Sequence, residues 1–143
     1  MFHRYGAISW TDPLTNRLFI YAGRTTTAED NNNSLTAVWS YDVVSDAWTE
    51  HPNGATPPPA IGYGAQTAQV EDQVYVLTAA GDFWVLATET LAWTTLSMLN
   101  GPTRRGAGQF FPIATRSQLL LFGGFHGSQM YVRKKLVFPE GVL

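Results

Sequence analysis

Cysteine is absent from this 143-residue chain. That excludes disulfides, thiolate-bound metals and thiol nucleophiles, and it favours a reducing compartment, the cytoplasm being the expectation. Histidine is scarce. His3, His51 and His126 lie far apart and form no ligand-spaced pair, so no metal site is expected. No apolar run approaches the roughly 18 residues that would suggest a membrane span. The opening Met1-Phe2-His3-Arg4-Tyr5 has no apolar stretch of the kind a signal peptide needs, and the sequon Asn32-Asn33-Ser34 would matter only on a secreted chain. No segment carries a sustained helical stripe, so almost no helix is expected. Nucleophile elbow, phosphate loop and zinc-protease helix are all missing. The carboxylate pairs Glu29-Asp30 and Glu71-Asp72 are adjacent in sequence, which on a strand turns them to opposite faces and in a loop leaves them solvated. No catalytic residue and no cofactor is assigned.

What the chain does have is aromatic side chains, glycine and a repeat. Five tryptophans, six tyrosines and eight phenylalanines go with low charge, a balance suited to β-structure with many half-buried aromatic positions. Thirteen glycines and eight prolines are spread through the chain as turn punctuation. The phrase Leu18-Phe19-Ile20-Tyr21-Ala22-Gly23 returns as Val74-Tyr75-Val76-Leu77 running into Ala80-Gly81, and again as Leu119-Leu120-Leu121-Phe122-Gly123-Gly124. A second phrase, Val38-Trp39-Ser40-Tyr41 with Trp48-Thr49, returns as Phe83-Trp84-Val85-Leu86 with Trp93-Thr94. Trp48 and Trp93 are 45 residues apart, and an internal period of that size means stacked supersecondary units.

Each unit parses into up to four strands. The apolar runs are short, end at small residues and have period two. Thr11-Asp12-Pro13-Leu14-Thr15-Asn16, Glu71-Asp72-Gln73 and Thr115-Arg116-Ser117 read as turns between first and second strands. Asp42-Val43-Val44-Ser45-Asp46 and Ala87-Thr88-Glu89-Thr90-Leu91 read as hairpin connections between third and fourth. Pro- and Gly-rich spacers then force the chain out of each sheet. Unit one spans about residues 4–56, unit two about 57–101 and unit three about 102–143. The third is incomplete: a third strand is expected around Met130-Tyr131-Val132, and the run Arg133-Lys134-Lys135-Leu136-Val137-Phe138 lacks the aromatic spacing.

These residues resemble kelch repeats, the blades of kelch-type β-propellers. The family pattern is a small-Gly pair after an apolar strand, then a tyrosine and a tryptophan with six residues between them. Gly23, Gly81, Gly123 and Gly124 supply the pairs, and Tyr41 with Trp48 fits the spacing in full. In the second unit Leu86 replaces the tyrosine and Trp93 keeps its place. The family's Arg-x-Gly-His opening appears as Arg4-Tyr5-Gly6 and Arg104-Arg105-Gly106, without the histidine. The resemblance covers most of residues 4–126. It implies an all-β, partial kelch-type β-propeller of four-stranded antiparallel blades, the third incomplete, with Trp48 and Trp93 wedged between neighbouring blades.

In that family, loops along one rim of the disc form partner sites. The resemblance therefore implies a protein-interaction module whose partner-binding candidates are Arg24, Glu29, Asp30, Arg105, Phe125 and His126. The competing expectation is a portion of a carbohydrate-active or oxidase- or epimerase-like kelch propeller enzyme. The copper oxidases with such blades use a cysteine-linked tyrosine, which this chain cannot form. Closed propellers have about four to eight blades. Two and a half blades are expected to be a fragment of a longer propeller, an arc completed by self-assembly or with another chain, or an open arc. Charge divides unevenly: residues 1–101 hold ten acidic and three basic side chains, and residues 102–143 hold one acidic and six basic. The basic run Arg133-Lys134-Lys135 is too short for a nucleic-acid surface and reads as a solvated strand edge or tail, so neither nucleic acid nor membrane is an expected partner.

Overall fold

The computed structural model describes residues 5–12, 14–23, 37–52, 61, 64–97, 106–113, 118–126, 129–130 and 133–137. These residues form strands and turns, with no helix. The first sheet runs in the order β1 (Ile8–Asp12), β2 (Arg17–Tyr21), β3 (Val38–Asp42), β4 (Ala47–His51). The second repeats that order with β5 (Gln66–Val70), β6 (Gln73–Leu77), β7 (Phe83–Ala87) and β8 (Ala92–Thr95). Every pairing in both sheets is antiparallel.

Local chemistry sets the turns. The turns at 14–16, 43–46 and 88–91 all end on a left-handed residue: Asn16 (φ 54°), Asp46 (φ 52°) and Leu91 (φ 53°). Asn and Asp tolerate that conformation because their short polar side chains bond locally. Leu91 does not have that outlet, and a strained backbone of this kind costs on the order of 1–3 kcal/mol; its side chain packs on the core between the first two sheets, which offsets the cost. The aspartate entering each turn of the first sheet accepts backbone bonds from the turn. Asp12 takes the Leu14 N–H at 3.0 Å, and Asp42 takes those of Val44 and Ser45 at 2.9 and 3.0 Å. Gly23, just past β2, sits at φ 88°, and a Cβ there would stand 3.1 Å from Ala7 and from the Tyr5 carbonyl. Only glycine lets the chain leave β2 that close to the approach of β1.

The third sheet comprises β9 (Gly106–Ile113), β10 (Gln118–His126), β11 (Gln129–Met130) and β12 (Arg133–Val137). Phe125 pairs with Gly106 of β9 on one side and Met130 of β11 on the other, and Leu120 likewise lies between Phe111 and Lys135. Therefore β11 and β12 share the edge of β10 opposite β9. Their register is continuous, from His126 opposite Gln129 to Gln118 opposite Val137. The sheet is three strands wide, and no described strand fills its fourth place. The basic run, which lacks the aromatic spacing of the earlier units, supplies β12 as a strand at the sheet's edge. Backbone pairing to β10 needs no aromatic side chain.

Alternation divides each sheet into a forward face, turned to the next sheet in the chain, and a rear face. Ile8, Trp10, Phe19, Tyr21 and Val38 on the forward face of sheet one pack on Val74, Val76, Leu86 and Trp93 on the rear face of sheet two. Ala68, Tyr75, Leu77 and Phe83 on the forward face of sheet two pack on Phe110, Leu119 and Leu121 of sheet three. Rings cross both joints: Tyr21 and Trp93 centroids are 5.2 Å apart, and Phe83 meets Phe110 edge-on at 5.9 Å. Burying each such side chain contributes roughly 1.5–3 kcal/mol. The close backbone approach between sheets is at their first strands, β1 against β5 and β5 against β9. The Gln69 side chain bridges there, accepting the Thr11 N–H at 3.1 Å and donating to the Thr11 carbonyl at 2.7 Å. The result is an all-β stack of antiparallel sheets, taken in chain order and consistent with part of a propeller.

Candidate functional site

Four of the expected partner-binding residues, Arg24, Glu29, Asp30 and Arg105, lie outside the described residues. The other two are displaced from a loop to a strand. Phe125 and His126 are the last two residues of β10, opposite Met130 and Gln129. The reason is local: two residues separate His126 from Gln129, enough for a hairpin, so the pairing runs to its end.

The expected framework residues divide. Trp93 is 4% exposed and fills the joint between sheets one and two; Trp48 is 39% exposed, its ring tilted against Tyr41 of its own sheet at 5.1 Å. Tyr41 donates to Asp46 at 2.7 Å, and that bond, more than burial, holds its hydroxyl above the usual phenol range. Gly124 follows Phe122 as Gly23 follows Tyr21, two residues on. Gly81 does not keep that place. It lies four residues after Leu77, in a turn closed by its own N–H to the Thr78 carbonyl at 3.0 Å. Thr78 and Asp82 complete that turn, with the Thr78 N–H on the Asp82 carbonyl at 2.9 Å. Gly123 has φ 72° with open space around a notional Cβ, so its requirement is conformational and not steric.

One pair has the spacing of nucleophile and base. The Ser40 hydroxyl and His51 Nε2 are hydrogen-bonded at 2.8 Å. Burial, with a smaller push from the charge of Arg17, holds His51 below its ordinary pKa and favours neutral imidazole. Activation of a serine needs both this and an approach for substrate. Ser40 is 1% exposed on the forward face, so its hydroxyl is closed to substrate. The pair ties β3 to β4, with Phe19 against the imidazole at 5.6 Å. Among the described residues, no three His, Asp or Glu side chains gather at metal-binding distances. None of the described residues belongs to a helix long and apolar enough to cross a membrane.

A different surface, not expected from sequence, stands at the turns of sheet one. The turn residues 14–16 and 43–46 lie side by side at one end of sheet one, joined by the Val43 N–H on the Asn16 carbonyl at 3.3 Å. They hold Leu14, Val43 and Val44 out in solvent, at 90%, 62% and 82% exposure. Around them stand carboxylates. Asp12 is held below its usual range chiefly by the Thr15 hydroxyl, bonded at 2.5 Å, and Asp42 by the backbone N–H groups of its turn. Arg17 meets Asp42 at 3.4 Å. Three apolar side chains on short, bonded turns form a tip flanked by Asp12 and by the Asp42–Arg17 pair. The signal in the sequence is an aliphatic residue inside a turn otherwise built of Asp, Thr, Ser and Asn. Sheet two ties the same pair of turns together, Thr88 N–H to Asp72 carbonyl at 2.7 Å, but shows no exposed large apolar residue there.

No family model matches the chain, and no curated protein matches it in sequence.

Proposed function

We propose that this chain is a protein-interaction module built of kelch-like propeller blades, binding its partner through loops at the rim. The observation that carries the reading is the tip of Leu14, Val43 and Val44, on turns at the end of sheet one opposite Gly23 and so opposite the end expected to hold Arg24 and Arg105. Apolar groups held in water on turns that carry Asp12, Asp42 and Asp46 against Arg17 favour a partner that offers an apolar contact with basic surroundings. The blade reading is supported by the repeated strand order, by the positive-φ glycines after β2 and within β10, and by the convergence of β1, β5 and β9. The closed Ser40–His51 pair weighs against hydrolysis by the described residues.

The test is affinity capture of a partner, followed by titration of that purified partner against wild type, Val44→Asp and Arg105→Glu. Val44 is exposed, so the fold should survive, as circular dichroism would verify. Binding weakened about tenfold or more in either variant, a loss of about 1.4 kcal/mol, is the expected result. Unchanged affinity in both would overturn the rim-loop reading.

A further inference from the structure

The stack ends on two faces that copy buried ones. On the rear face of sheet one, Leu18, Ile20, Trp39, Tyr41 and Trp48 occupy the register positions that Val74, Val76, Trp84, Leu86 and Trp93 hold in sheet two. In sheet two those positions are covered by sheet one. In sheet one they are open, with Leu18 and Trp48 both exposed. At the other end, Phe111, Leu120 and Phe122 occupy on sheet three the positions that Trp10, Phe19 and Tyr21 hold on the forward face of sheet one. Tyr21 is fully buried there against Trp93, whereas Phe122 is 52% exposed and Phe111 is 45%. Of the exposed large apolar side chains among the described residues, four lie on these two faces.

A rear face of this pattern is covered, one sheet further along the same molecule, by a forward face of this pattern. We propose that the rear face of sheet one docks on the forward face of sheet three in a second copy of the chain, head to tail, with Trp48 against Phe122. Two copies then place six sheets in one ring, within the range of about four to eight at which such stacks close.

Charge selects this pairing over the alternatives. Residues 1–52, which contain sheet one, hold six acidic and three basic side chains; residues 102–143, which contain sheet three, hold one acidic and six basic. Head-to-tail docking brings a net negative end to a net positive one. Sheet one on sheet one, or sheet three on sheet three, would set like charge against like, and such juxtaposition disfavours the wrong partner. Each joint thus pairs two different patches, and the two joints of the closed pair are related by a twofold axis. The contact follows from the stacking of the sheets and stands apart from the rim-loop reading, whose variants lie at other residues.

That asymmetry gives a sharp test. Sedimentation velocity over a concentration series would be run on the full chain as wild type, as Trp48→Glu, as Phe122→Glu, and as an equimolar mixture of the two variants. Wild type should form a two-copy species. Each variant alone lacks one half of every joint and should stay monomeric. The mixture should associate, because the Trp48→Glu chain keeps an intact sheet-three face and the Phe122→Glu chain an intact sheet-one face. Its affinity should fall between that of wild type and that of either variant alone. Both residues are exposed, and circular dichroism checks folding. Leu18→Glu and Phe111→Glu, on the same two faces, form a second pair if either variant misfolds. Wild type that stays monomeric, variants that dimerise unimpaired, or a mixture no tighter than its components would each overturn the proposal.

Discussion

Trp48 and Trp93 stand at the same place in successive sheets, on the fourth strand and facing rearward, yet one is half in water and the other almost wholly buried. Their neighbours within the sheet are similar: Trp48 lies opposite Tyr41, and Trp93 opposite Leu86. What differs is the next layer. Sheet one covers Trp93 with Tyr21; no described residue of another sheet covers Trp48. A repeat pattern therefore encodes the shape and polarity of a face, while burial depends on whether a neighbour has been stacked on it. Sheets one and two are nearly the same object in two different surroundings.

The strongest way to break that comparison is to truncate both rings. Trp93→Ala should cost about 3–5 kcal/mol in urea-unfolding free energy, as for a large buried aromatic. Trp48→Ala, measured at concentrations where the chain is monomeric, should cost on the order of 1 kcal/mol. Equal losses would mean that position in the repeat, and not the covering sheet, decides the energetics. The glycines sharpen it at the backbone level. Gly23→Val meets Ala7 and the Tyr5 carbonyl in a left-handed conformation and should lose roughly 2–3 kcal/mol. Gly123→Ala, with open space around it, should lose about 1 kcal/mol, both read from thermal unfolding. Gln69→Ala removes the polar bridge between β1 and β5 and should cost on the order of 1 kcal/mol.

The smallest effect expected is with pH. His51 in the folded chain is held below its ordinary value of 6.5, so the unfolded chain takes up the proton first. Stability should be unaffected by this group above that value and should fall as pH drops from about 6.5 toward the folded pKa. His51→Gln should flatten the dependence of the urea midpoint between pH 7.5 and 5.5 relative to wild type.

Much of the architecture was legible because it rests on period-two apolar runs and on turn chemistry. The strand order of the first two sheets, the turns at 14–16, 43–46 and 88–91, and the incomplete third sheet all follow from those signals. Three features were not. Arg133–Val137 pairs along β10, where the basic run left a strand edge or a tail open. The small-Gly pair of the second unit is out of step by two residues, because the matching dipeptide recurs in a turn and not at the strand exit. Trp48 was read as a wedge because its sequence neighbourhood matches that of Trp93, and the covering layer is a long-range fact. The apolar tip at Leu14, Val43 and Val44 escaped notice because attention to turn residues goes to the polar ones that make the turn.

The central claim is that the forward face of sheet one and the rear face of sheet two form one packed joint. A double-mutant cycle between Tyr21 and Trp93 tests it directly, since the two rings belong to different sheets and meet at 5.2 Å. Unfolding free energies of wild type, Tyr21→Phe, Trp93→Ala and the double variant measure the hydroxyl's share, and Tyr21→Ala with its own double variant measures the ring's. For the ring the coupling should be about 0.5–1.5 kcal/mol. Strict additivity of Tyr21→Ala and Trp93→Ala would show that the two sheets do not meet there.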